Sequence, residues 1–226
     1  SFDPDAFLVA HALDADTIWR AGELGPGGRV RPESGFTMTV AEALTRLQDG
    51  NARWVRDATV IGDISHSRRL EIAREQRPFA TLVGCSDSRV GPEQLFGTGL
   101  GDLFIVRNAG STVGVHGLGS IEYSVAELGV SLIVVLGHER RGAVTAALDV
   151  LQHGTQLPGS IAAMVGTILP AVEPVLGTAD GAELVDAAVH ANVSYTVRRL
   201  RESHEDIIQR PRAEGRLWIV GAYYDL

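Results

Sequence analysis

An α/β fold, a mainly parallel β-sheet flanked by helices, is the architecture this sequence predicts. Two apolar runs, Phe79-Ala80-Thr81-Leu82-Val83-Gly84 and Ser131-Leu132-Ile133-Val134-Val135-Leu136, read as buried strands. Helical patterns lie between and behind them, so strand and helix alternate as parallel pairing requires. Each run ends in polar, ligand-type residues, Cys85-Ser86-Asp87-Ser88-Arg89-Val90 and Gly137-His138-Glu139-Arg140-Arg141-Gly142. One shared site at the carboxyl edge of the sheet is the natural consequence.

The bulk numbers bound the problem. A chain of 226 residues suits one sizeable domain with an extension. Hydrophobic residues make up 45% and charged residues 21%, an ordinary globular balance. A formal charge of −8 (20 basic minus 28 acidic) argues against nucleic acid or an anionic membrane as the main partner. No stretch approaches the roughly 20 apolar residues that a membrane span requires. A single cysteine forms no internal disulfide and does not identify a compartment. With no signal peptide in view, the expectation is a cytoplasmic protein.

In chain order, residues 1–37 read as an N-terminal arm. Phe7-Leu8-Val9-Ala10 and Ile18-Trp19 are short apolar patches, and Gly25-Pro26-Gly27-Gly28 interrupts regular structure. An arm of this kind packs on a neighbouring subunit or is partly ordered. Residues 38–226 form the domain. Thr39 and Glu42 have capping-box spacing, and Val40, Ala43, Leu44 and Leu47 give a helical stripe that Gly50-Asn51 ends. Residues 67–76 read as a short helix, and Pro78 introduces the first strand of the domain. The glycine-rich turn Gly97-Thr98-Gly99-Leu100-Gly101 precedes a strand over Asp102–Arg107, which Asn108-Ala109-Gly110 ends. Ile121, Val125 and Leu128 share one helix face before the strand at 131–136, and Ala143–Leu151 is helical behind Gly142. A helix within 159–176 ends near Pro170. Val185, Val189, Val193, Val197 and Leu200 mark a long helix, and Leu217–Tyr224 is β-branched and aromatic enough for a final strand.

The chemistry concentrates at the two strand ends. Cys85, Asp87 and Arg89 alternate, so in extended backbone their side chains project the same way. Asp87 and Arg89 are placed to pair, which keeps the carboxylate ionised. A thiolate, an imidazole from His138 and a carboxylate converging at strand ends suit a metal or a nucleophile. A lone cysteine is ordinarily a small buried hydrophobe, and it is the Cys-x-Asp-x-Arg spacing after a buried strand that shifts the reading. The other six histidines keep the ordinary surface or core reading, with His116 in its glycine-rich loop the one to watch.

These motifs together resemble the β-class carbonic anhydrases. The resemblance extends through Gln76 and Pro78, Asp102–Gly110, Gly119-Ser120-Ile121-Glu122-Tyr123 and Val220–Leu226, and covers about residues 38–226. It implies reversible hydration of CO2 to bicarbonate at a zinc ion held by two cysteines and a histidine, with water or the motif aspartate in the fourth position. By that resemblance Cys85 and His138 are zinc ligands and Asp87 and Arg89 form the catalytic dyad, Asp87 being also a possible ligand. Gln76, Phe104, Tyr123 and Gly142 match positions lining the substrate pocket near a subunit interface, and a homodimer or homotetramer follows.

The second cysteine belongs at position 141, where this chain has Arg141. An arginine stays protonated and offers no lone pair, so it cannot ligate a metal, and its cation repels Zn²⁺. Zinc is what brings the ionisation of bound water to neutral pH, as carbonic anhydrase itself illustrates. The expectation is therefore absent or weakly bound zinc, with absent or strongly impaired zinc-dependent activity, and Arg141 contacting Cys85 or Asp87. Two alternatives stay open: an active enzyme with residual zinc or a metal-free route, and a Cys85-dependent enzyme acting on an anionic substrate held by Arg141.

Overall fold

The structure, a computed structural model, describes residues 7–9, 38–140, 142–203 and 205–225. Arg141 and most of the predicted arm lie outside the described residues. Strand β1 is Phe7–Val9, followed by helices α1 (Val40–Val55) and α2 (His66–Glu71). Then come β2 (Ala80–Gly84), α3 (Pro92–Leu95), β3 (Leu103–Arg107), α4 (Val115–Ala126) and β4 (Leu132–His138). Helices α5 (Gly142–His153), α6 (Gly159–Gly166), α7 (Leu169–Val172), α8 (Gly181–Arg201) and α9 (Asp206–Ala213) precede the last strand, β5 (Trp218–Tyr224).

The strands form one sheet in the order β1-β5-β4-β2-β3, and every pairing is parallel. This is the predicted mainly parallel α/β architecture. Strands β2 and β4 are buried along their whole length, which is why they read as unbroken apolar runs. Alternate residues of β4 face opposite layers. Leu132, Val134 and Leu136 pack with Ala43, Leu44 and Leu47 of α1, and Ile133 and Val135 pack with α4, α8 and α9. Three residues of the segment read as an arm, Phe7–Val9, add an edge strand to β5 of the same chain, which covers backbone groups that edge would otherwise expose.

Local departures from the predicted elements have identifiable causes. Helix α1 opens on the predicted capping box, with the Thr39 hydroxyl accepting from the Glu42 amide and the Glu42 carboxylate accepting from the Thr39 amide. It does not end at Gly50-Asn51 but continues to Val55. Gly50 is there to let the helix approach the backbone of Phe96: a Cβ built on it would lie 1.9 Å from the Phe96 carbonyl oxygen. The helix expected to end near Pro170 breaks earlier, at Thr167, and Pro170 sits in the first turn of α7, where its missing N–H is not needed. Helix α2 closes at Glu71, short of the predicted Gln76. Two short helices were not predicted: α3, and α9, which carries Pro211 in its interior. No helix among the described residues is long and apolar enough to cross a membrane.

Gly50 provides a test of this packing. Helix propensity alone favours alanine there by about 1 kcal/mol, whereas overpacking against backbone costs roughly 1–3 kcal/mol or more. The contact wins, so Gly50→Ala is expected to lower the midpoint of thermal unfolding followed by circular dichroism. An unchanged or raised midpoint would show that α1 does not dock on Phe96.

Candidate functional site

The parallel register builds the site. Strand β2 pairs with β4 through Val83↔Val135 and with β3 through Gly84↔Arg107. Cys85 and His138 therefore stand two and three residues beyond the last paired position of adjacent strands, and Arg107 ends the strand on the other side. The segment after β2 is not extended as far as the alternation of Cys85, Asp87 and Arg89 implied. It bends into a turn at Ser88–Arg89, closed by the Val90 amide donating to the Asp87 carbonyl at 3.2 Å.

The turn sets the dyad. Arg89 donates from Nε to Asp87 Oδ1 at 3.0 Å and from Nη2 to Oδ2 at 2.8 Å, a planar two-point pair. The Arg89 backbone amide also donates to Oδ1 at 2.9 Å. The Arg89 side-chain bonds hold the Asp87 carboxyl well below the usual carboxylate range, against the opposing effect of burial; the backbone bond and the nearby His138 add to the lowering. Arg89 Nη2 further reaches the Arg140 carbonyl at 3.4 Å, linking this turn to the segment after β4. Cys85 is half-buried, is not in a disulfide, and lies within electrostatic reach of the Arg89 guanidinium.

His138 is the last residue of β4 and is fully buried. Its Nδ1 lies 2.6 Å from the carbonyl oxygen of Glu139, an acceptor, so Nδ1 carries a proton and the neutral ring presents its lone pair at Nε2. Nε2 is buried with no hydrogen-bond partner, and its nearest carboxylate oxygen, Asp87 Oδ2, is 3.9 Å away. Just beyond, Arg140 adopts φ +53°, a left-handed conformation that a non-glycine side chain rarely takes. Sequence reasoning missed Arg107, read only as the end of a strand. Its guanidinium donates to three carbonyls of the Cys85–Val90 segment: Cys85 at 2.7 Å, Asp87 at 2.6 Å and Val90 at 3.0 Å. The available signal was a cation closing an apolar strand beside the Cys85 strand.

Comparison with known proteins places this rim in a family. A family model described as carbonic anhydrase matches residues 80–226. Carbonic anhydrase 2 of Mycobacterium tuberculosis (strain H37Rv) is 42% identical over 180 residues, spanning 80% of this chain and 86% of that protein. The chain belongs to the carbonic anhydrase family. The carbonic anhydrase of Mycolicibacterium smegmatis is 41% identical over the same length and coverage. Among solved structures, the Coccomyxa β-carbonic anhydrase in complex with acetazolamide matches with a TM-score of 0.64 and 27% identity, covering 80% of this chain and 82% of that one. One of two tetrameric β-carbonic anhydrases from Sordaria macrospora matches with a TM-score of 0.63 and 25% identity, covering 82% and 92%. The fold is thus that of the β class.

This β-class chain gathers Cys85, Asp87, Arg89 and His138 at one rim, with Gly142 beside it, but not Gln76, Phe104 and Tyr123, the other residues expected to line a substrate pocket. Gln76 is exposed and precedes β2, so the length of that strand separates it from Cys85. Phe104 pairs with Thr81 in the first half of β3, three residues or about 10 Å back from Arg107. Tyr123 on α4 is 49% exposed and stands beside Phe104, ring centroids 6.3 Å apart. Gly142 opens α5 next to the rim.

The β-carbonic anhydrase family is zinc-dependent, and the residues present fit that ion only in part. His138 is built as metal-ligating histidines are, with one nitrogen fixed by a carbonyl and the other bare. Cys85 is the right donor type. Asp87, however, has both oxygens engaged by Arg89, and among the described residues no three His, Cys, Asp or Glu side chains form a set able to hold an ion.

The dyad gives a pH-dependent prediction. The folded pKa of Asp87 lies below its unfolded value of about 3.9. Its pairing thus stabilises the fold fully above that pH and is lost as pH falls through the folded value. Asp87→Asn is expected to cost about 1 kcal/mol at pH 7, Arg89 being half exposed, with the difference from wild type shrinking in acid. Urea unfolding at a series of pH values measures it; a difference that grows below pH ~4 contradicts the assignment.

Proposed function

We propose that this chain is a β-carbonic anhydrase homologue in which zinc-dependent CO2 hydration is absent or strongly impaired. The observation that carries the reading is the donor set at the rim. A buried, bare His138 Nε2 and a half-buried Cys85 supply two ligands, Asp87 is committed to Arg89, and position 141 carries a side chain with no lone pair. Four-coordinate zinc needs a further protein donor to be held tightly. The two-point Asp87–Arg89 pair, with the carboxylate ionised and oriented by the guanidinium, supports reading these residues as the family dyad, a framework for handling CO2 or bicarbonate that lacks the source of the nucleophile.

The direct test is metal analysis paired with a hydration assay. Purified wild-type protein is expected to hold well under one zinc per chain. Arg141→Cys is expected to take up about one zinc and to gain hydration activity by several orders of magnitude. Stoichiometric zinc in the wild type, or hydration matching that of Arg141→Cys, would overturn the reading.

We propose further that the chain functions as a homodimer or homotetramer whose partner copy brings Gln76, Phe104 and Tyr123 towards the rim. Two observations support it: the tetrameric state of the Sordaria macrospora relatives and an exposed apolar surface beside the turn that feeds β3. Val60, Ile61, Ile64 and Leu70 are each more than half exposed there, on segments tied to Leu100 by backbone and Arg68 hydrogen bonds. Sedimentation should give a dimer or tetramer for the wild type and a shift towards monomer for Ile61→Glu with Leu70→Glu. A monomeric wild type would remove the proposal.

A further inference from the structure

We infer that Arg107 is a positioning residue for this rim, holding the Cys85–Val90 turn in the conformation that sets Cys85 at the end of β2, on the strand next to that of His138, and presents Asp87 to Arg89. Past Gly84 the β2 backbone leaves the ladder, its last backbone bond in that direction being the Ser86 amide to the Asn108 carbonyl at 3.3 Å. The carbonyls of Cys85, Asp87 and Val90 then turn towards one point, and the Arg107 guanidinium occupies it. Its Nε takes the Cys85 carbonyl, and one Nη2 takes those of Asp87 and Val90. Charged donors make hydrogen bonds about twice as strong as neutral ones, and here one side chain supplies three across six residues. The register places it: Arg107 is the strand neighbour of Gly84, and Val106 before it is core, so the guanidinium is fixed at its root.

The planar fork is what the geometry uses. A lysine keeps the charge but offers a single ammonium that cannot serve the same directions at once. The inference takes the rim as the functional site, yet it does not depend on zinc or on hydration.

Cys85 is the sole cysteine, so alkylation with iodoacetamide in the presence of a chelator reads this turn alone. Arg107→Gln and Arg107→Lys, both melting cooperatively, are expected to label at least about tenfold faster than wild type, the loss of one charged hydrogen bond being enough for that factor. Amides 86–90 should lose hydrogen-exchange protection while those of β4 keep theirs. Unchanged labelling in Arg107→Gln, or wild-type behaviour in Arg107→Lys, overturns the inference. If neither variant folds, the wild type decides: the bonded amides of Ser86, Arg89 and Val90 should exchange as slowly as those of β2, and fast exchange overturns it. Zinc found in the wild type would sink the functional reading and leave this one standing.

Discussion

Parallel pairing of β2 between β3 and β4 is the constraint on which the rest of the structure depends. In a parallel sheet all strands end at the same edge, so three segments that are distant in sequence deliver Cys85, Arg107 and His138 to one rim without a loop having to search for them. The burial that makes β2 and β4 unbroken apolar runs also fixes their register. A slip of one residue would move the α1-facing set Leu132, Val134 and Leu136 onto the α8 side. The precision of the site is inherited from core packing, and the polar residues at the rim refine it.

That precision carries local strain. A left-handed arginine costs on the order of 1–2 kcal/mol, and a buried imidazole nitrogen that no protein donor or acceptor meets is not a choice that packing would make. Both occur within three residues, at His138 Nε2 and Arg140. Packing alone would not select either, since a leucine would fill the His138 volume and a glycine would relax the turn at position 140. Strain of this kind survives where the surrounding structure over-determines it and tends to sit at functional sites. Here β4 fixes His138, its Nδ1 contact with Glu139 fixes the ring, and the Arg89 bond to the Arg140 carbonyl ties the turn to the dyad.

How much of this could be read in the sequence follows from what each feature depends on. The buried strands were legible because burial on both faces leaves an uninterrupted apolar signature, and the rim residues were legible because they terminate those strands. The continuation of α1 past Gly50 was not, because the reason for that glycine is the carbonyl of Phe96, which lies 46 positions on. Helix α9 was masked by Pro211, and β1 by an arm composition whose pairing partner lies at the other end of the chain. Arg107 was hidden for a different reason: its role is to serve backbone carbonyls, which every sequence has. Gln76, Phe104 and Tyr123 could be named by resemblance but not joined to the rim, since one chain keeps them near the opposite edge.

The charge at position 141 can be weighed against the rest of the rim. A zinc ion with two thiolate ligands is a neutral unit, 2+ against two negative sulfurs. Removing the metal and one thiolate together while adding a guanidinium leaves one cation and the Cys85 sulfur. Where an arginine meets a thiol it favours the thiolate, and a guanidinium set against a thiolate again sums to zero charge. Asp87 is poorly placed to be that counterion, because both its oxygens already face Arg89. On the proposed reading the substitution replaces ligand and metal charge in one step, which is how a pocket shaped around a dication could persist without it.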